Sequence, residues 1–502
     1  MDGEVTQAAL NGLAIVFSWP YVLYPVVGTL LAMVFALLPG LSGAALMALA
    51  IPLTIQWDPI ATMLLFGSFL GGATFMGSVT AILFNIPGRP SNAASLIDGY
   101  PMAQAGYART ALGCSAGASA LGSTFGVVIL VLAIPIMRRI LLAFGPLELL
   151  LLVIWGLAAI AALSRDALLK GLIAASFGLL ISFIGTDPHN AEPRFTLGID
   201  SLEAGLSIVP IFLGLYALAE LFSLMRQDRP SISRASEPLG GSIRQGLKAI
   251  LLHPGLFFRS ATIGTVIGMI PGVGGTVASF VAYGHAAQSA RHNEEFGQGD
   301  IRGLLAPEAA NDAKDGGALV PTLAFGIPGG TGTAMLLAAL TLHGLEPGRE
   351  LLGSQLTFAF VLIWSLFFSN WLTSILGLSV ITPLSRLTHI RTDLLVPGLL
   401  LVATVGAFLF RGEIFDVALA YLFAGLGYWM KIRDWPRIPM MIALVLGPLF
   451  ERNFLLVVQL YDVDRLDLWD RPMAVFISFL VLVAVGYPLV RSLNERRNSG
   501  RD

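Results

Sequence analysis

Long apolar runs, divided by two polar stretches, set the pattern of this chain. No Asp, Glu, Lys or Arg occurs between Glu4 and Asp58, nor between Asp58 and Arg89. A helix crosses the hydrocarbon core of a bilayer with about 20 apolar residues, so each of these runs is long enough to cross. The pattern predicts apolar segments over 20–38, 60–82, 108–136, 146–163, 167–186 and 200–225. A second set covers 255–271, 274–290, 317–342, 354–380, 393–410, 412–430, 438–461 and 473–491. Some are expected to be half-spans or hairpins. The fold class expected is an all-α polytopic membrane protein of roughly 10–14 membrane segments.

The polar stretches organise the chain. Arg226 to Lys248 carries five basic and two acidic residues together with Pro230, Pro238 and Gly240-Gly241. It reads as a cytoplasmic linker, because basic residues gather on the cytoplasmic side. The tail from Arg491 is also arginine-rich, and Arg138-Arg139 predicts a further cytoplasmic turn. This gives an N-terminal transmembrane repeat (1–225), a linker (226–250), a C-terminal transmembrane repeat (251–490) and a cytoplasmic tail (491–502). The other polar stretch, Arg291 to Asp315, is more acidic.

The two halves look related. Leu38-Pro39-Gly40-Leu41-Ser42-Gly43 recurs as Ile270-Pro271-Gly272-Val273-Gly274-Gly275. Ile86-Pro87-Gly88 recurs as Ile327-Pro328-Gly329, and Asp98-Gly99-Tyr100-Pro101 as His343-Gly344-Leu345-Glu346-Pro347. The matches keep their order at offsets of 232, 241 and 245 residues, so an internal duplication is expected, in an inverted or a parallel sense. Proline removes an amide donor and glycine adopts dihedrals that other residues avoid, so helices break at these places. A break at membrane depth is tolerated only where protein or a water-filled cavity satisfies the freed backbone groups. Paired breaks of this kind mark a transporter's binding site. A lone Pro-Gly would read as a kink or a surface turn.

Composition narrows the function. Hydrophobic residues are 55% of the 502, charged residues 12%, and mean hydropathy is +0.78, which a soluble domain with about 25% charged residues does not match. A net charge of -2 argues against nucleic acid as a partner. The single Cys114 excludes an intrachain disulfide framework, and the six scattered histidines show no metal-ligand spacing. No phosphate-binding lysine loop is present, so direct ATP use is not expected. Met1-Asp2-Gly3-Glu4 lacks a basic n-region, and insertion through uncleaved helices is expected.

Candidate chemistry gathers at the breaks. A helix N-terminus attracts a carboxylate, while freed carbonyls can hold Na⁺ or a proton donor. Asn85, Pro87 and Gly88 in the first half, with Gly329, Gly330, Thr331 and Thr333 in the second, are therefore the candidate substrate-binding set. Gly40, Gly272, Ser78 and Thr80, with Glu308, Asn311 and Asp312, are the candidate coupling-ion set. Ser78 and Thr80 could equally bond back to their own helix. Pro307 suits a first helical position, and Glu308 and Asp312, four apart, share a face. With Lys314 and Asp315 beside them, the composition also fits a solvated surface helix. Arg89 could draw an anion to the mouth or mark the water interface. The run from Gly316 to Leu342 predicts a hairpin whose tip presents backbone amides.

At these residues the sequence resembles the TctA family, the large membrane subunit of tripartite tricarboxylate transporters. The resemblance runs through Gly77-Ser78, Asn85-Ile86-Pro87-Gly88, Asp98-Gly99-Tyr100-Pro101-Met102-Ala103 and Pro271-Gly272-Val273-Gly274. It continues through Ala306-Pro307-Glu308-Ala309-Ala310-Asn311, Gly316 to Thr322, Gly326 to Gly329 and His343 to Gly348, ending at Leu446-Gly447-Pro448-Leu449-Phe450-Glu451. It implies cation-driven uptake of an organic carboxylate with Na⁺ or H⁺ as coupling ion and no other cofactor. It also implies a bacterial inner-membrane location, a small membrane subunit and a periplasmic solute-binding protein as partners, and an elevator-like motion by analogy. Met76, Arg89, Arg302 and Asp312 depart from the residues usual in the family. The expectation is therefore an organic acid rather than citrate itself. A membrane-embedded enzyme would need a metal or nucleophile constellation that only Glu308 and Asp312 approach. A scaffold would have no use for paired uncharged breaks.

Overall fold

A computed structural model describes residues 3–37, 43–85, 87–162, 168–187, 192–226, 240–290, 295–387, 392–462 and 471–483. The first half contains α1 (Gly3–Val16), α2 (Leu23–Leu37), α3 (Gly43–Thr54), α4 (Pro59–Gly72), α5 (Thr74–Phe84) and α6 (Ala93–Met102). It continues with α7 (Ala108–Ala143), α8 (Pro146–Ala162), α9 (Leu168–Ser182), α10 (Asp200–Glu203), α11 (Ile208–Phe212) and α12 (Ala219–Met225). The second half has α13 (Ile243–Leu252), α14 (Pro254–Gly268), α15 (Gly274–Ser289), α16 (Ile301–Phe325) and α17 (Thr331–Leu342). It ends with α18 (Leu356–Leu387), α19 (Thr392–Arg411), α20 (Ile414–Ile432), α21 (Arg437–Asp462) and α22 (Pro472–Val483). A two-residue antiparallel pair, Gly185–Thr186 with Pro193–Arg194, is the only strand structure among the described residues.

The motif offsets recur in the packing. The 241-residue offset carries α4 and α5 together, 59–84, onto α16. Both stretches end on a left-handed residue, Asn85 (φ 58°) and Gly326 (φ 67°), whose amides donate to Ala81 O and Thr322 O at 3.1 Å. Beyond each end the chain presses against its own helix. A Cβ on Gly88 would lie 2.6 Å from Gly77 Cα and 2.9 Å from Ala36 O. A Cβ on Gly329 would lie 2.9 Å from Ala318 Cα and 3.0 Å from Gly268 O. The offsets relating these residues are the same 241 and 232 that relate the sequence motifs.

The halves also exchange partners. First-half α7 packs along second-half α16, and second-half α18 packs along first-half α4. Gly122 and Gly126 of α7 let the helices meet at Ala309 and Ala313. At the equivalent contact, Ser365, Ser369 and Thr373 donate to Leu64 O (2.5 Å), Ser68 O (2.8 Å) and Gly72 O (3.3 Å). Without a hydrophobic driving force between helices in lipid, small residues and hydroxyl bonds of this kind supply the association.

Among the described residues five helical stretches are long and apolar enough to span a bilayer, and a sixth counts if α13 and α14, bent by 84°, form one span. Seven shorter apolar helices accompany them there. Exposed Leu30, Val34, Leu132, Ile136, Leu401 and Leu422 leave an apolar exterior suited to lipid rather than water. Three expectations need correction. Helix α7 runs past Arg138-Arg139 to Ala143, because Arg138 pairs with Glu4 (2.9 Å) without breaking the helix. Helix α16 begins at Ile301 with Asp300 as its N-cap, so Pro307 lies inside it rather than first. Hydropathy also missed the first part of α16, where the charges accumulate.

Candidate substrate and coupling-ion site

Helix α16 carries five charged side chains into the protein, and four of them, Glu308, Asp312, Lys314 and Asp315, are buried. The solvated-surface reading of this helix therefore does not hold. Small residues bring its neighbours close: Gly264 and Gly268 of α14 approach Ala310 O and Lys314 O.

Two polar groups form on α16. In the first, Glu308 Oε1 accepts from Ser78 Oγ of α5 (2.7 Å) and Oε2 from Ser115 Oγ of α7 (2.8 Å). Asn92 Nδ2 donates to the same Ser78 Oγ (2.7 Å) and to Thr74 O (3.2 Å), so residues beside the first tip reach Glu308 through one hydroxyl. In the second, Asp312 Oδ1 accepts from Asn370 Nδ2 of α18 (3.2 Å). Ser119 stands beside that carboxyl but donates to Asn370 Oδ1 (3.3 Å), leaving Asp312 Oδ2 without a donor among the described residues. Between the two groups, the fully buried Asn311 amide has a partner at neither its oxygen nor its nitrogen among the described residues. It faces Gly275 of α15, where a Cβ would fall 2.8 Å from Asn311 Oδ1 and 3.0 Å from Ser91 Cβ. Lys314 pairs with Asp315. Ionised acids without compensating cations are costly at membrane depth, so a cation entering here would offset that cost.

The breaks are partly brought together. Gly272 N donates to Gly329 O (3.1 Å), joining the two second-half breaks. Thr333 Oγ1 accepts from Gly330 N (3.0 Å) at the start of α17, Thr331 is partly exposed there, and Gly329 is buried. The first tip differs: Asn85 and Pro87 are exposed. No hydrogen bond joins Asn85–Gly88 to Gly329–Thr333 among the described residues. Thr80 bonds back to Gly77 O (2.9 Å), whereas Ser78 reaches Glu308. Arg89 donates to Thr74 Oγ1 (3.0 Å). Gly40 lies outside the described residues.

Sequence reasoning missed Asn92, Ser115, Ser119, Asn370 and Gly275. An amide deep inside the apolar run 354–380, well past Gln355 at its start, was the available signal for Asn370, since such a group needs a partner in lipid. Among the described residues no three His, Cys, Asp or Glu side chains converge as a metal site would require.

A family model described as the tripartite tricarboxylate transporter TctA family matches residues 22–442. The chain belongs to that family. It is a multi-pass membrane protein and the large subunit of a tripartite tricarboxylate transporter, a class whose members work with further components. An Agrobacterium vitis protein described as an uncharacterized 52.8 kDa protein in the TAR-I ttuC' 3' region is 29% identical over 473 residues, 94% of each chain. A second A. vitis protein, described as uncharacterized in the TAR-II ttuC' 3' region, is 29% identical over 235 residues, 47% of this chain and 97% of its own length. No solved structure matches the chain. Within the TctA family match lie both tips, all of α16 and its partner helices.

Proposed function

We propose that this subunit takes up a small organic carboxylate across a bacterial inner membrane, driven by a Na⁺ or H⁺ gradient, and is not an enzyme. Its partners in this reading are a small membrane subunit and a periplasmic solute-binding protein. The observation that carries the reading is the buried polar line of α16, Glu308, Asn311 and Asp312, set against residues next to the helix breaks. Acid and amide oxygens there suit a cation, and the backbone amides opening α17 at Thr331–Thr333 suit a carboxylate. Gly88 and Gly329 hold the two tips against their helices. The reciprocal packing of the halves supports two related repeats, read here as inverted by analogy, with alternating exposure of one site.

The test is reconstitution of the three components in liposomes, with Na⁺ and proton gradients imposed separately over a broad panel of carboxylates. Uptake that follows one gradient and collapses with it is expected. Failure of every carboxylate to accumulate under either gradient would end the proposal.

A further inference from the structure

The helix that follows each tip is fastened, by one side chain, to the place where the other half's core helix starts. Asp98 of α6 is fully buried. Its Oδ1 accepts from the backbone amides of Gly297 (2.8 Å), Gly299 (2.9 Å) and Asp300 (2.9 Å), and its Oδ2 from Tyr283 Oη of α15 (3.0 Å). Gly297 and Gly299 have φ of 86° and 111°, a backbone course that turns several amides toward one anion. Asp300 then caps α16 by accepting from Arg302 N (2.8 Å), and Glu308 follows two turns later. Through this loop Asp98, on a first-half helix, fixes where the second half's polar helix begins.

His343 does the converse. It ends α17, and Nδ1 lies 2.8 Å from Ala339 O of that helix. Its Nε2 lies 3.0 Å from Thr54 O, at the end of α3, and 3.1 Å from Thr62 Oγ1 in the first turn of α4. A ring protonated at both nitrogens serves both carbonyls, and in the neutral ring the Thr62 hydroxyl can donate to Nε2. The fastening therefore holds in either state. Asp98 and His343 are the residues that the 245-residue offset equates. Their chemistry is opposite and matched to what they face: a carboxylate at the amide end of α16, an imidazole at the carbonyl end of α3.

We propose that Asp98 and His343 are paired positioning residues that register each tip helix against the core helix of the opposite half. Their part in transport rests on the uptake reading above, whereas the cross-half fastening does not. Hydrogen–deuterium exchange on the assembled transporter in nanodiscs, without substrate, tests the fastening. Asp98→Asn should speed exchange about tenfold across 295–308 while leaving 54–66 unchanged, and His343→Gln should do the reverse. Tyr283→Phe removes one of Asp98's four bonds and should give a smaller rise in the same segment, which keeps the test open if Asp98→Asn folds poorly. For Asp98→Asn and His343→Gln a rise confined to the half that carries the substitution overturns the proposal, as does, for any of the three variants, a rise spread evenly over both halves or no rise at all. With citrate or succinate as tracer, either variant should raise the half-saturating concentration about tenfold with the maximal rate within about twofold. A fall in maximal rate alone would reduce these residues to structural ones. If neither tracer is taken up, the exchange pattern decides.

Discussion

Helices α4 and α5 and helix α16 are the same element twice, yet only one of them is charged. The 241-residue offset sets Gly67, Leu70, Gly71, Ala73 and Thr74 opposite Glu308, Asn311, Asp312, Lys314 and Asp315. The backbone events are shared: nearly equal length (26 and 25 residues), a left-handed end, and a tip folded back onto its own helix. Even the contact of Gly43 with Ala73 returns as that of Gly275 with Lys314. What differs is the side-chain chemistry, which gives one stretch neutral residues and the other the polar line. The same backbone course that breaks a helix safely thus carries ionisable groups in only one of the two stretches.

The hardest test of the shared geometry is to fill both tips. Gly88→Val and Gly329→Val each force a side chain into backbone, a strain of about 1–3 kcal/mol when a packed core is overfilled. Displacement of this kind can cost about 100-fold in rate, and we expect losses of that order in uptake from both variants, with insertion retained. Normal uptake by both would make the tips mere turns; loss from only one would break the equivalence of the halves.

The asymmetric chemistry is tested on α16. Asp312→Asn keeps the shape and the Asn370 neighbour but removes the charge, and we expect the cation dependence of uptake to weaken by about tenfold or more. Unchanged pH and Na⁺ dependence in this variant would take Asp312 out of coupling. Asn85 gives a smaller and more discriminating effect. Its left-handed backbone is what Gly326 supplies in the other half. Asn85→Ala should therefore cost about 1–2 kcal/mol and impair uptake, while Asn85→Gly should restore it. Equal loss in both, read by uptake per inserted subunit, would assign the role to the amide side chain instead.

Hydropathy and the Pro-Gly motifs made the helical fold and the positions of the breaks legible, because Pro-Gly acts through backbone geometry that sequence states directly. The environment of α16 was not legible. Beside their place in a candidate ion set, Glu308, Asp312, Lys314 and Asp315 fitted a solvated face equally, since the glycines that bury the helix lie on α7 and α14, far away in the chain. Ser115, Asn92 and Asn370 were invisible as a set because each is ordinary alone and gains meaning only across helix interfaces. His343 and Asp98 stood in the sequence only as matching motif positions, and their contacts with the opposite halves come from the fold.

Ser78 and Thr80 supply the finest comparison, two hydroxyls in one short helix that sequence could not tell apart. Ser78 bonds a carboxylate on the opposite half and receives a bond from Asn92, whereas Thr80 returns its proton to Gly77 O. Hydrogen bonds to charged groups contribute about 1.5–3 kcal/mol, so Ser78→Ala should be felt in stability and cation dependence. Thr80→Ala gives up a bond to its own helix and a buried methyl, about 1 kcal/mol, but leaves the Glu308 bonds in place, so its cation dependence should stay that of wild type. Thermal unfolding of the two variants in detergent, beside their cation-activation curves, measures the gap. Equal effects would mean that Glu308 does not draw its local order from α5, and that the two halves meet at this site through α7 alone.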